Sequence, residues 1–182
     1  ADELLGEHGA SILQYGSTEG WMPLRQTLVA LNGKRGVACE LENVITLTGS
    51  SQGIDLCCKV FLDPSDVVLV ENPTFLGTLQ TIRSYQGVPV GVDTDEAGMV
   101  IEDLERKIID NKPKLIYVIP TFQNPSGVTT SMARRKAIFE LAERYDVMIM
   151  EDDPYGELRY SGAPLPYIKT LDKNNDRVVL LN

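Results

Sequence analysis

One histidine, one tryptophan and three cysteines are all that 182 residues supply of those types. A single imidazole, His8, cannot build a histidine-rich metal site and is a poor base for a serine or cysteine nucleophile. Its place in the acidic N-terminal stretch, near a frayed end, reads as surface. Cys39, Cys57 and Cys58 are an odd set, and adjacent cysteines bridge only with strain, so no disulfide framework is expected. Cys57 and Cys58 fall in an apolar helical pattern, as buried thiols do. The reading is a reducing, cytoplasmic setting. No apolar run nears the roughly 20 residues of a membrane span. The opening ADELLGEHGA lacks the apolar core of a signal peptide. Positive charge is short as well: 17 Lys+Arg stand against 26 Asp+Glu, a net charge of −9. Such a balance repels phosphate backbones and speaks against nucleic-acid binding through a broad basic face.

What the chain does have is a series of short apolar, β-branched runs: 44–47, 67–70, 88–92, 115–119, 147–150 and 178–181. Most are apolar on both faces, as buried parallel strands are. Helical patterns lie between them, over 51–62, 74–85, 102–109 and 131–145, with Ser131 as an N-cap. Asp63–Asp66 and Asp93–Gly98 read as turns. This alternation predicts an α/β fold with a mostly parallel sheet. The N-terminal stretch differs. A glycine-containing turn, Tyr15–Gly20, precedes a helix over 23–30, and residues 1–40 read as a segment entering the main domain of 41–182.

Ligands of such sheets bind at the carboxyl ends of the strands. After the first run comes Thr48-Gly49-Ser50-Ser51-Gln52-Gly53 at a helix start, where free amides and the helix dipole suit an anion. The plain alternative is a capped helix. After the second run comes Glu71-Asn72-Pro73-Thr74-Phe75, whose aromatic can stack on a flat ligand or serve as core. The fourth run is followed by a stiff loop, Pro120–Gly127, presenting the Asn124 amide. The fifth ends in Glu151-Asp152-Asp153-Pro154-Tyr155. Three carboxylates at a buried strand end call for a cationic partner, and only Arg159 is near in sequence. A solvated acidic loop and a Mg²⁺ site are the competing explanations. Together these places ask for a ligand with a phosphate, a flat ring, a ring oxygen and a cationic nitrogen. Pyridoxal phosphate has all four, and an aspartate on its ring nitrogen keeps the ring electron-withdrawing.

These segments resemble the fold-type I pyridoxal-phosphate aminotransferases of class I and II, in the branch that includes 2-aminoadipate aminotransferase. The resemblance rests on Tyr15-Gly16-x-x-x-Gly20 with Leu24-Arg25, Gly49–Gly53, Glu71–Phe75, Asn124-Pro125-Ser126-Gly127 and Glu151–Tyr160, in that order along nearly the whole chain. It implies a three-layer α/β/α large domain and a role for each matched residue. Ser51 and Gln52 would hold the cofactor phosphate. Phe75 would stack on the ring, in the place where many relatives have Tyr. Asn124 would bond the ring hydroxyl oxygen and lie near the substrate carboxylate, and Tyr155 would bond the same oxygen. Asp152 would pair with the ring nitrogen. Tyr15 would reach the phosphate of a neighbouring subunit, since the family places its sites at a homodimer interface. The family's Schiff-base lysine follows the next strand, and here the chain stops at Asn182, so that lysine and the small domain are expected further on and the piece is expected to be inactive alone. Lys169 and Lys173 precede the strand and are not assigned the role. The implied partners are an amino acid and a 2-oxo acid, with no nucleic acid and no membrane. Carbon–sulfur lyases and cofactor-sensing transcriptional regulators share the fold and are the alternatives.

Overall fold

In a computed structural model, which describes residues 2–182, the chain forms two compact units, Ala1–Leu47 and Thr48–Asn182. The first holds helices α1 (Asp2–Ile12) and α2 (Met22–Lys34) and a 3-10 turn at Leu41–Asn43. His8, expected at a frayed end, lies on α1 and is exposed. The helix expected over 23–30 is α2, longer by a residue at its start and four at its end. Pro23 sits in its first turn, where the missing N–H costs nothing.

Residues 44–47 do not form the strand that their apolar run suggests. Their polar backbone groups are satisfied another way. Arg25 donates through Nε to the Val44 carbonyl at 2.7 Å and through Nη2 to that of Leu41 at 2.5 Å. Thr46 N–H donates to the Glu19 carbonyl at 2.9 Å. The segment packs so closely on Gly20, which has φ +107°, that a Cβ there would lie 1.8 Å from Thr46 Oγ1.

The second unit is a six-stranded sheet of β1 (Val67–Asn72), β2 (Val88–Asp95), β3 (Gly98–Met99), β4 (Leu115–Val118), β5 (Met148–Asp152) and β6 (Val178–Leu181). The spatial order is β3-β2-β1-β4-β5-β6, parallel throughout except for the β2–β3 hairpin. That hairpin corrects the turn expected over Asp93–Gly98. β2 continues through Asp95, and only Glu96 and Ala97 turn the chain, with Asp95 Oδ1 accepting from Ala97 N–H at 2.8 Å.

Helices α3 (Ser50–Phe61), α4 (Leu76–Ser84), α5 (Ile101–Asn111) and α6 (Met132–Arg144) cover the sheet. Side chains alternate along β1. Val68 and Val70 join Ile54, Cys57, Cys58 and Ile82 in the core beneath α3 and α4. Leu69 joins Leu104, Ile108, Ile138 and Leu141 in the core beneath α5 and α6. The result is the three-layer α/β/α arrangement. Ser131 caps α6 as expected, its hydroxyl accepting from Arg134 N–H at 3.3 Å. The thiols of Cys57 and Cys58 are buried as expected, and burial pushes both up to about 11. No disulfide joins Cys39, Cys57 or Cys58. No helix among the described residues is long and apolar enough to cross a membrane.

Candidate active site

Parallel pairing aligns the strand termini. Val118 of β4 stands beside Glu151 of β5, and Asp152 beside Leu181 of β6. The rim so formed carries Asp152, which is 3% exposed. Tyr117, wholly buried on β4, donates its hydroxyl to Asp152 Oδ2 at 2.8 Å. Oδ1 of the same carboxylate is buried and has no hydrogen-bond partner. Burial raises the Asp152 carboxyl above the ordinary 3.8, Asp153 adds to the rise, and the hydroxyls of Tyr117 and Ser50 oppose it.

Ser50 begins α3, so the start of that helix and Asp152 lie on the same rim. Gly49, with φ +123°, leads into the helix without a side-chain cap. The first helical amide to reach the Gly49 carbonyl is that of Gln52, at 3.1 Å. The amides of Ser50 and Ser51 precede that bond and point out of the helix start, where its dipole favours an anion. Ser51 is exposed there. Gln52 is exposed too, but its side chain is partly engaged: Oε1 accepts from Thr48 N–H at 2.8 Å and from Thr48 Oγ1 at 3.0 Å, which leaves Nε2 to face outward chemistry.

Phe75 ends the loop after β1 and precedes α4, half-buried against the core that contains Val70 and Tyr117. A Cβ on Gly77 would lie 2.6 Å from the Phe75 ring, so a glycine there gives the ring its seat. Asn124 and Tyr155 meet as the sequence suggests, with Asn124 Nδ2 donating to Tyr155 Oη at 3.4 Å. Tyr15 belongs to the first unit and is fully exposed.

The acidic run resolves into separate roles. Glu151 is fully buried, and its two oxygens accept from Ile168 N–H and Lys169 N–H, each at 2.8 Å. Burial pushes it up to about 7 against those bonds and the attraction of Arg135. The cation that the run calls for is therefore Arg135 of α6. Arg159, the one near in sequence, lies over the Phe122 ring at 4.7 Å. Lys169 is tied to Asp172 at 2.8 Å, and Lys173 is exposed.

Sequence reasoning missed Tyr117 and Ser50, and it gave no role to Glu71 or Gln123. Tyr117 had a signal: it is the only polar side chain in the run Leu115–Ile119. Glu71, 2% exposed, accepts through Oε2 from Ile119 N–H at 2.9 Å. Burial pushes its carboxyl up to about 8.

The strand ends thus carry a buried aspartate oxygen without a donor, a helix start on the same rim and an amide–phenol pair. The class is a three-layer α/β protein with a mostly parallel sheet. The chain belongs to the aminotransferase class I and II family, whose model matches residues 4–181. It is 43% identical to aromatic-amino-acid aminotransferase 1 of Thermococcus litoralis, over 98% of this chain and 44% of that protein. It superposes with a TM-score of 0.91 on a Pyrococcus horikoshii kynurenine aminotransferase solved with PMP, at 44% identity over 98% of this chain and 45% of that one. The α-aminoadipate aminotransferase of Thermus thermophilus, solved with N-(5'-phosphopyridoxyl)-L-leucine, gives a TM-score of 0.90 at 34% identity, over 98% and 45%. The chain thus spans less than half the length of these relatives.

Proposed function

We propose that the protein containing this chain transfers an amino group between an amino acid and a 2-oxo acid with pyridoxal 5'-phosphate as cofactor. The observation that carries the reading is the unpartnered Oδ1 of Asp152, on the rim where α3 begins. In this reading Asp152 accepts a proton-bearing ring nitrogen through Oδ1, while Tyr117 fixes Oδ2. The amides at Ser51 and the free Nε2 of Gln52 hold the phosphate. Phe75 covers one face of the ring. Asn124 and Tyr155 converge on the ring oxygen, and Asn124 also lies near the substrate carboxylate. When bound, the cofactor supplies an electron sink for the pair released at the substrate carbon.

The protein works as a homodimer, with Tyr15 reaching the phosphate of the neighbouring subunit, and in the cytoplasm, a setting supported by the buried, unbridged Cys57 and Cys58. The lyase and regulator readings are less favoured, because the matched proteins described above carry aminotransferase names.

The test is a titration of the whole protein with pyridoxal phosphate, followed by assay of 2-oxo acid formation from amino donors. Wild type should gain a visible absorption band and turn over. Asp152→Ala should lose about 100-fold or more in turnover. An Asp152→Ala enzyme with near-normal turnover, or a wild type that binds no cofactor, sinks the proposal.

A further inference from the structure

Two loops carry the groups proposed to grip the ring, and one buried side chain joins them. Gln123, 4% exposed, follows β4. Its Nε2 donates to the Pro73 carbonyl at 2.8 Å and reaches Glu71 Oε2 at 3.4 Å. Its Oε1 accepts from Ser126 N–H at 2.8 Å and from Ser126 Oγ at 2.6 Å. The donor end of the amide thus holds the segment that leads to Phe75, and the acceptor end holds the loop that contains Asn124. The Gln123 backbone tightens the same loop: its N–H donates to the Val128 carbonyl at 2.8 Å, and its carbonyl accepts from Gly127 N–H at 2.6 Å. Glu71 anchors the other side, because its Oε2 also takes the Ile119 amide.

We propose that Gln123 is a positioning residue, which locks the Asn124 loop to the Glu71–Phe75 segment and so fixes the ring-oxygen donor against the ring-stacking aromatic. The inference rests on the function proposed above. Its physical basis is that a donor misplaced by about 1 Å loses most of its effect on a developing charge. Glutamine suits the task because its amide has a donor end and an acceptor end, and both are used here. An apolar residue would leave the Pro73 carbonyl and the Ser126 amide without this partner. A glutamate would keep the acceptor end and turn a second carboxylate toward Glu71.

The test uses the whole protein loaded with pyridoxal phosphate and follows the pH midpoint of its visible absorption band. A hydrogen bond donated to the ring oxygen favours the ionised form, so loosening Asn124 should raise the midpoint. Gln123→Leu, Gln123→Glu and the reference variant Asn124→Ala should each raise it by about one pH unit. The double variant Gln123→Leu/Asn124→Ala should move it no further than Asn124→Ala alone. Circular dichroism and thermal melting establish folding, and Gln123→Glu, which keeps the volume, carries the test if Gln123→Leu fails to fold. A wild-type midpoint in the folded Gln123 variants, alongside a shifted Asn124→Ala, overturns the positioning role alone. An unshifted Asn124→Ala overturns the assignment of Asn124 itself, and the positioning role with it.

Discussion

The Tyr117 hydroxyl and the Asp152 carboxylate meet across 2.8 Å in the core, and the bond goes to one oxygen only. Tyr117 thereby orients the carboxylate and leaves Oδ1 as the acceptor still open. Tyr117→Phe removes a donor to the charged form, so the Asp152 carboxyl should titrate higher than in wild type. Affinity for pyridoxal phosphate should fall by about tenfold, the size of a hydrogen bond to a charged group. Absorption titration of the whole protein checks this, and an unchanged affinity would mean that the tyrosine has only a packing role.

Glu71 gives a pH dependence whose sign is fixed. Its folded-state value, about 8, lies above the ordinary 4.5. The folded protein keeps a proton that the unfolded chain releases, so this group's stabilising contribution is complete below about 4.5 and is lost as pH rises to about 8. Glu71→Gln lacks that titration. Its melting temperature relative to wild type should therefore climb between pH 5 and pH 8. A constant difference across that range would show that Glu71 ionises normally.

Arg135 should be a determinant of stability. Its guanidinium is wholly buried and donates to the carbonyls of Thr130, Pro120 and Pro166 and to Thr121 Oγ1. Arg135→Met leaves these buried acceptors without their donor and removes the charge that acts on Glu151, and should cost about 1–3 kcal/mol. Adding Glu151→Gln should return part of that loss, because the uncompensated charge is gone. Chemical denaturation of the three proteins measures both, and additive losses would contradict the coupling.

Asp103 behaves oppositely to Glu71. Burial opposes its charge, but the Asp93 amide at 2.8 Å, together with Arg106 and Lys107, outweighs burial and holds it down to about 2. Its contribution is present above about 4 and is lost as pH falls toward about 2. Asp103→Asn should accordingly be less stable than wild type at neutral pH, with the gap closing across that acid window. A gap that persists at pH 2 would assign the loss to packing.

The strand ends were legible because buried parallel strands are apolar on both faces, which makes the first polar residue after each run conspicuous. The segments holding Phe75, Asn124 and Asp152 were singled out that way, while the role expected of each residue and the meeting of Asn124 with Tyr155 followed from the family pattern. What was not legible is pairing at long range. Tyr117 and Asp152 are 35 residues apart, and Gln123 and Glu71 are 52 apart, with neither partner marked by local spacing. The run at 44–47 misled for a related reason: its composition is that of a strand, but Arg25 and Glu19 take the bonds that a neighbouring strand would have made. The true counter-ion of the acidic run, Arg135, lies on the helix before it and not in the loop after it.

Gly53 has no side chain where α3 faces Leu181, and a Cβ there would come within 2.6 Å of that leucine. The helix whose opening turn offers its amides therefore leans directly on β6. As a ribosome makes this chain from its amino end, α3 emerges roughly 120 residues before the surface it leans on. Until Leu181 arrives, α3 rests only on the core it shares with Val68, Val70, Ile82 and Tyr117, so its seat against β6 is the part of its packing completed last.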